Sequence, residues 1–127
     1  MMPVALWILY PYLLESVIRI IHGLGCKVLW ATSKPRLGPK HNMDGGVLVA
    51  CFNVPLEVAT EQLKPFRTPG IKIVLLVHPG SMISSSELQA AGVSGLLPWN
   101  AGEGDYRVCL DTLERGQAYI HPNFLQS

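Results

Sequence analysis

Carboxylates are scarce in the first half of this chain: before Glu57 the only ones are Glu15 and Asp44. A hard divalent cation held by paired acids in that half therefore has almost nothing to bind it. Cysteine is also sparse. Cys26, Cys51 and Cys109 make an odd set without CxxC or zinc-like spacing, which argues against a disulfide framework or a structural zinc and fits a reducing cytoplasm. Charge of one sign is missing as well. Ten basic and nine acidic side chains leave a net +1, and no Lys/Arg cluster forms the positive stripe that a phosphate backbone requires. The apolar run Met1 to Leu14 has no basic segment before it and no small-residue cleavage site after it. Glu15 and Arg19 interrupt it before the roughly 20 residues of a membrane span. It is expected to be a buried strand and the first turn of a helix, with no membrane partner.

What is present is a well-filled core: 49% of the 127 residues are apolar and 15% charged, which excludes disorder and suits one domain over residues 1–127. Five short apolar runs, Val4 to Leu9, Lys27 to Ala31, Val47 to Phe52, Ile71 to Val77 and Gly95 to Leu97, do not alternate with polar residues. Both faces of such strands must be covered, as in a parallel sheet between helices. Helices are expected at Pro11 to Leu24, Leu56 to Lys64, Glu87 to Ala91 behind a cap at Ser84, Ser85 or Ser86, and about Glu103 to Arg115. Lys34 to Gly46 stands where another helix would fall, yet it holds Pro35, Gly38, Pro39, Gly45 and Gly46. Proline and glycine cost about 3 and 1 kcal/mol inside a helix, so a loop or irregular turn is expected. The alternation predicts a doubly wound α/β sandwich with right-handed crossovers.

Three strings carry a resemblance: Pro69-Gly70-Ile71-Lys72-Ile73-Val74-Leu75-Leu76, then Leu88-Gln89-Ala90-Ala91-Gly92-Val93-Ser94-Gly95-Leu96-Leu97, then Leu113-Glu114-Arg115-Gly116-Gln117-Ala118-Tyr119-Ile120-His121-Pro122. With Val47 to Pro55 and Pro11 to Ser16, this resembles a receiver domain of response regulators of the NarL/FixJ type, which carry a LuxR-like helix-turn-helix. The resemblance implies a flavodoxin-like (CheY-like) three-layer sandwich with a five-stranded parallel sheet, its second helix degraded or missing. It also implies five polar groups at the carboxyl ends of the strands: two acids for Mg²⁺, an acceptor aspartate, a Ser/Thr and a Lys. Here those positions read Ile8 and Leu9, Cys51, Val77 and Trp99. The expectation is an atypical receiver without catalytic residues, metal or cofactor, acting in transcriptional regulation independently of phosphorylation.

Other residues admit two readings. Cys51 takes the acceptor position, but without a cationic neighbour it reads as a buried inert thiol, and no third group orients a Cys51–His78 couple. Trp7, Cys51, His78 and Trp99 could line a small-molecule site, the two tryptophans stacking on a planar ligand; alternatively they fill space left by polar groups. The first helix is greasier than one core stripe needs, so a homodimer is expected through Leu14 and Ile18 with Tyr106 and Leu110 of the last helix. DNA would be reached only through a helix-turn-helix, which these residues do not contain. The chain reads equally as a fragment or as a stand-alone interaction module.

Overall fold

The computed structural model describes residues 2–124. In chain order, β1 (Val4–Ile8) leads to α1 (Pro11–Gly23), β2 (Val28–Thr32), β3 (Gly46–Cys51), α2 (Leu56–Leu63), β4 (Ile71–Val77), α3 (Ser85–Ala91), β5 (Gly95–Pro98), α4 (Glu103–Glu114) and β6 (Tyr119–Ile120). All strand pairs are parallel, in the order β2-β1-β3-β4-β5-β6. The sheet thus has six strands, one more than the five expected. The sixth is two residues long and attaches by pairing Tyr119 with Gly95 and Ile120 with Leu96.

Strand residues alternate between two apolar layers, as the period of two requires. Val4, Leu6 and Ile8 of β1 and Val47, Val49 and Cys51 of β3 face Val17 and Ile21 of α1 and Tyr106, Cys109, Leu110 and Leu113 of α4. Ala5, Trp7, Leu48, Ala50, Ile73 and Leu75 face the other way, onto Leu63 of α2, Phe66, and Leu88 and Ala91 of α3. Each fully buried Leu or Ile contributes about 2 kcal/mol, so this two-sided burial is the main source of stability. Among the described residues no helix is long and apolar enough to cross a membrane.

Residues 33–45 contain no helix, as the proline and glycine content predicts. Leu37 and Met43 pack on the second layer in its place. Two indoles tie the loop down: Trp7 Nε1 donates to the Lys34 carbonyl at 2.9 Å and Trp30 Nε1 to the Asn42 carbonyl at 3.0 Å. At the end of this loop Gly46 has φ 106°, and a Cβ there would collide with the Pro3 carbonyl oxygen. Of the three candidate caps of α3, Ser84 is used: its Oγ accepts the Glu87 N–H at 3.1 Å, and Glu87 Oε1 accepts the Ser84 N–H at 3.4 Å.

The start of α4 is fastened to the segment after β6. Asp105 Oδ2 accepts the Gly102 N–H at 3.0 Å, and Oδ1 lies 3.0 Å from Nε2 of the buried His121. His121 Nδ1 accepts the Asn123 N–H at 3.1 Å, which places the ring proton on Nε2, donating to Asp105. The Gly102 bond, and after it the His121 bond, hold the Asp105 carboxyl below its ordinary value, with desolvation opposing them. Asp105→Ala should therefore lower stability at neutral pH by about 1 kcal/mol. The folded carboxyl titrates below its unfolded value of about 3.9, so this contribution is complete above that value and is lost as pH falls through the folded one. Urea denaturation of both proteins at neutral pH and near about pH 2 checks this. A stability gap that survives at the acid end would contradict the assignment.

Candidate functional site

The carboxyl ends of the strands form one edge of the sheet. Ile8 lies opposite Cys51, Val77 opposite Pro98, and the backbone extends the pattern: Leu9 N–H donates to the Cys51 carbonyl at 3.1 Å and Trp99 N–H to the Val77 carbonyl at 2.9 Å. The five positions singled out in the sequence, Ile8, Leu9, Cys51, Val77 and Trp99, all fall at this edge. Ile8 and Cys51 are buried, Leu9 and Val77 half-buried, and Trp99 is 40% exposed.

Above the edge the loops part to leave a cleft of about 650 Å³. Cys51, Leu76 and Val77 lie at its base, Phe52, Asn53 and Val54 continue from β3, and His78, Ser81 and Met82 continue from β4. Trp99 and Tyr10 close one side, and Glu57 and Glu87, from the first turns of α2 and α3, complete the lining. A second groove of about 600 Å³ runs along α1 past Tyr12, Leu13 and Ile20, and it shares Tyr10 and Trp99 with the first.

Cys51, His78 and Trp99 are thus brought together, but Trp7 is not. Trp7 is 4% exposed and packs edge-on against Phe52, with ring centroids 4.7 Å apart, in the layer under α2. Its neighbour Ile8 faces the opposite layer, and strand parity accounts for the correction: Trp7 fixes the loop at Lys34 rather than lining the cleft. The surface expected for self-association also needs correcting. Tyr106 (1% exposed) and Leu110 (7%) belong to the inward stripe of α4 and lie in the core. Leu14 and Ile18 are half-buried on α1.

Cys51 and His78 do not form a hydrogen-bonded couple. His78 Nδ1 accepts the Gly80 N–H at 3.0 Å, and its ring meets Trp99 edge-on at 5.0 Å. Burial pushes the Cys51 thiol up to about 11, and that of Cys109 up to about 12. Burial likewise raises the Tyr106 phenol, whose hydroxyl has no hydrogen-bond partner among the described residues. Neutral thiols and a neutral phenol are what an apolar interior imposes. Among the described residues no group of three or more His, Cys, Asp or Glu could hold a metal ion.

Reasoning from sequence missed Tyr10, Asn53, Ser81, Glu57 and Glu87. The first three follow directly, or nearly so, the strand ends already recognised, and that position was the available signal. The acids come from helix starts and are brought in only by packing.

No family model matches the chain, and no curated protein matches it. Solved structures do. The isolated receiver domain of RcsB from Salmonella enterica serovar Typhimurium, in the presence of phosphomimetic BeF₃⁻, is similar with TM-score 0.73 at 15% identity, over 97% of this chain and 95% of that one. The non-phosphorylated receiver domain of the stress response regulator RcsB from Escherichia coli gives 0.70 at 16%, over 94% and 98%. The regulatory domain of the master biofilm regulator CsgD gives 0.64 at 14%, over 95% and 94%.

The burial of Cys51 has a direct chemical consequence. A thiol near about 11 rather than the ordinary 9.0 leaves about a hundredfold less thiolate near neutral pH. Iodoacetamide should accordingly modify Cys51 at least about a hundredfold more slowly in the folded chain than in urea. Comparable rates, read by peptide mass spectrometry, would show that Cys51 is exposed. With the sheet order, the two-sided helix layers and these likenesses together, the chain has the flavodoxin-like fold of receiver domains.

Proposed function

We propose that this chain is a phosphorylation-independent, receiver-like signalling and dimerisation domain of a transcriptional regulator, and not an enzyme. One observation carries the reading: the carboxyl edge presents Ile8, Leu9, Cys51, Val77 and Trp99 where a phosphoryl-accepting relative needs three acids, a hydroxyl and an ammonium. Mg²⁺ requires several oxygen ligands. The edge offers a raised thiol and hydrocarbon, and the two nearest acids belong to different helices, with Glu87 engaged by Ser84. These residues do not fit a Mg²⁺ seat, and among the described residues the lining has no Lys or Arg to offset the charge of a transferred phosphoryl group.

Apolar replacements also remove a cost. Clustered acids repel one another in the absence of metal, whereas Ile8 and Cys51 pack into the α1/α4 layer. A domain of this kind holds one conformation without a phosphate signal.

The regulatory role draws on the fold's relatives. The chain matches RcsB in a structure of two RcsB dimers bound to two parallel DNAs, with TM-score 0.71 at 17% identity, and spans 65% of that chain. By analogy, DNA contact belongs to a helix-turn-helix outside these residues, in a cytoplasmic homodimer. The dimer surface is placed on α1, around the half-buried Leu14 and Ile18 and the 87% exposed Tyr12.

Incubation with acetyl phosphate and Mg²⁺, followed by intact-mass measurement and light scattering, tests both parts. The expected result is no added phosphoryl group and an unchanged dimer, with Leu14→Glu/Ile18→Glu reduced to the monomer mass. A stable phosphoryl adduct would overturn the phosphorylation-independent reading, and a variant that stays dimeric would overturn the α1 surface.

A further inference from the structure

We propose that the cleft at the carboxyl edge binds a flat heteroaromatic molecule that carries no negative charge. The inference rests on the reading above only in that the cleft is not reserved for a phosphoryl group and its metal. Its position comes first. In open parallel sheets the loops at the carboxyl ends diverge where the strand order reverses, and ligands enter the crevice that results. Here the order reverses between β1 and β3, and the cleft opens one strand over, above the adjoining ends of β3 and β4, with Tyr10 of the loop after β1 in its lining. Large side chains at the edge have not filled it. About 650 Å³ remains, within the range of small-molecule sites.

The walls state what fits. Trp99 exposes 40% of its surface, and its indole N–H has no partner among the described residues. Tyr10 lines the same cleft, and the edge contact from His78 at 5.0 Å steadies the indole. An exposed, supported π-face favours a flat ring system and attracts positive charge. His78 supplies direction. With Nδ1 accepting the Gly80 N–H, the ring proton sits on Nε2, a donor with no partner among the described residues. A ring nitrogen or carbonyl at the rim of the ligand would accept it.

Charge decides against phosphates and carboxylates. Among the described residues the lining contains two carboxylates, Glu57 and Glu87, and no Lys or Arg. The helix starts that could attract an anion are already served by acids: Glu57 lies in the first turn of α2, and α3 is capped by Ser84 with Glu87. An anion entering here would meet two carboxylates and no counter-charge.

Two dyes test the inference on the full chain: proflavine, a flat tricyclic cation, and anilinonaphthalene sulfonate, an anion of similar aromatic area, each followed by fluorescence anisotropy. Proflavine should bind one saturable site. Trp99→Ala should weaken it about tenfold or more, and Glu57→Lys, on an exposed helix start, about threefold or more. Arg107→Ala, on the exposed side of α4 and outside the cleft lining, should leave it within about twofold. Circular dichroism verifies the fold of each variant, and Glu57→Lys keeps the test decisive if Trp99→Ala does not fold. Absence of saturable proflavine binding, indifference to both cleft variants, or competition by the sulfonate for the same site would overturn the inference. A phosphoryl adduct from acetyl phosphate would instead overturn the receiver-like reading, so the two failures are told apart.

Discussion

A parallel sheet covered on both faces has nowhere to place polar chemistry except at its ends, and this constraint governs the molecule. The two helical layers bury β1 and β5 completely and β3 from Val47 onward, and their side chains alternate between α1/α4 on one side and α2/α3 on the other. Polar function is thereby confined to the loops beyond the strands. In this chain the last residue of each central strand is itself hydrocarbon or thiol, so burial continues to the very edge. The polar groups begin beyond the strands, one residue later at His78 and two residues later at Asn53.

In the proposed reading, that displacement separates this edge from one built for phosphoryl transfer. Such chemistry needs oxygen ligands and a compensating cation on the strand ends themselves, held close together. Moving the polar groups outward leaves an amide, an imidazole and an exposed indole around the cleft, the groups on which the proposed recognition of a flat ligand rests. The cleft also meets the α1 groove at Tyr10 and Trp99. Those two side chains therefore form the physical link between the edge and α1, the helix proposed to carry the dimer surface.

Most of the architecture was legible in the sequence because its signals are local. Continuous apolar runs marked the strands, Pro11 and Gly92 marked helix limits, and the Pro/Gly content of residues 34–46 announced a missing helix. The sixth strand was not legible, since Tyr119–Ile120 is too short for any periodicity and exists through pairing with β5. Tyr106 and Leu110 were assigned to a surface although their spacing with Cys109 and Leu113 already described one inward stripe. Trp7 was misplaced because nearness to a strand end was weighed above parity; one residue along a strand reverses the face. The Asp105–His121 tie, joining α4 to the segment beyond β6, spans sixteen positions and leaves no local pattern.

The central claim is that the carboxyl edge does not seat a divalent ion together with a phosphoryl group. Thermal unfolding in the presence of Mg²⁺ and beryllofluoride measures this most directly, because a ligand held only by the folded chain raises its stability by mass action. The account predicts the same midpoint with and without the pair of additives. A rise of several degrees that requires both would contradict it.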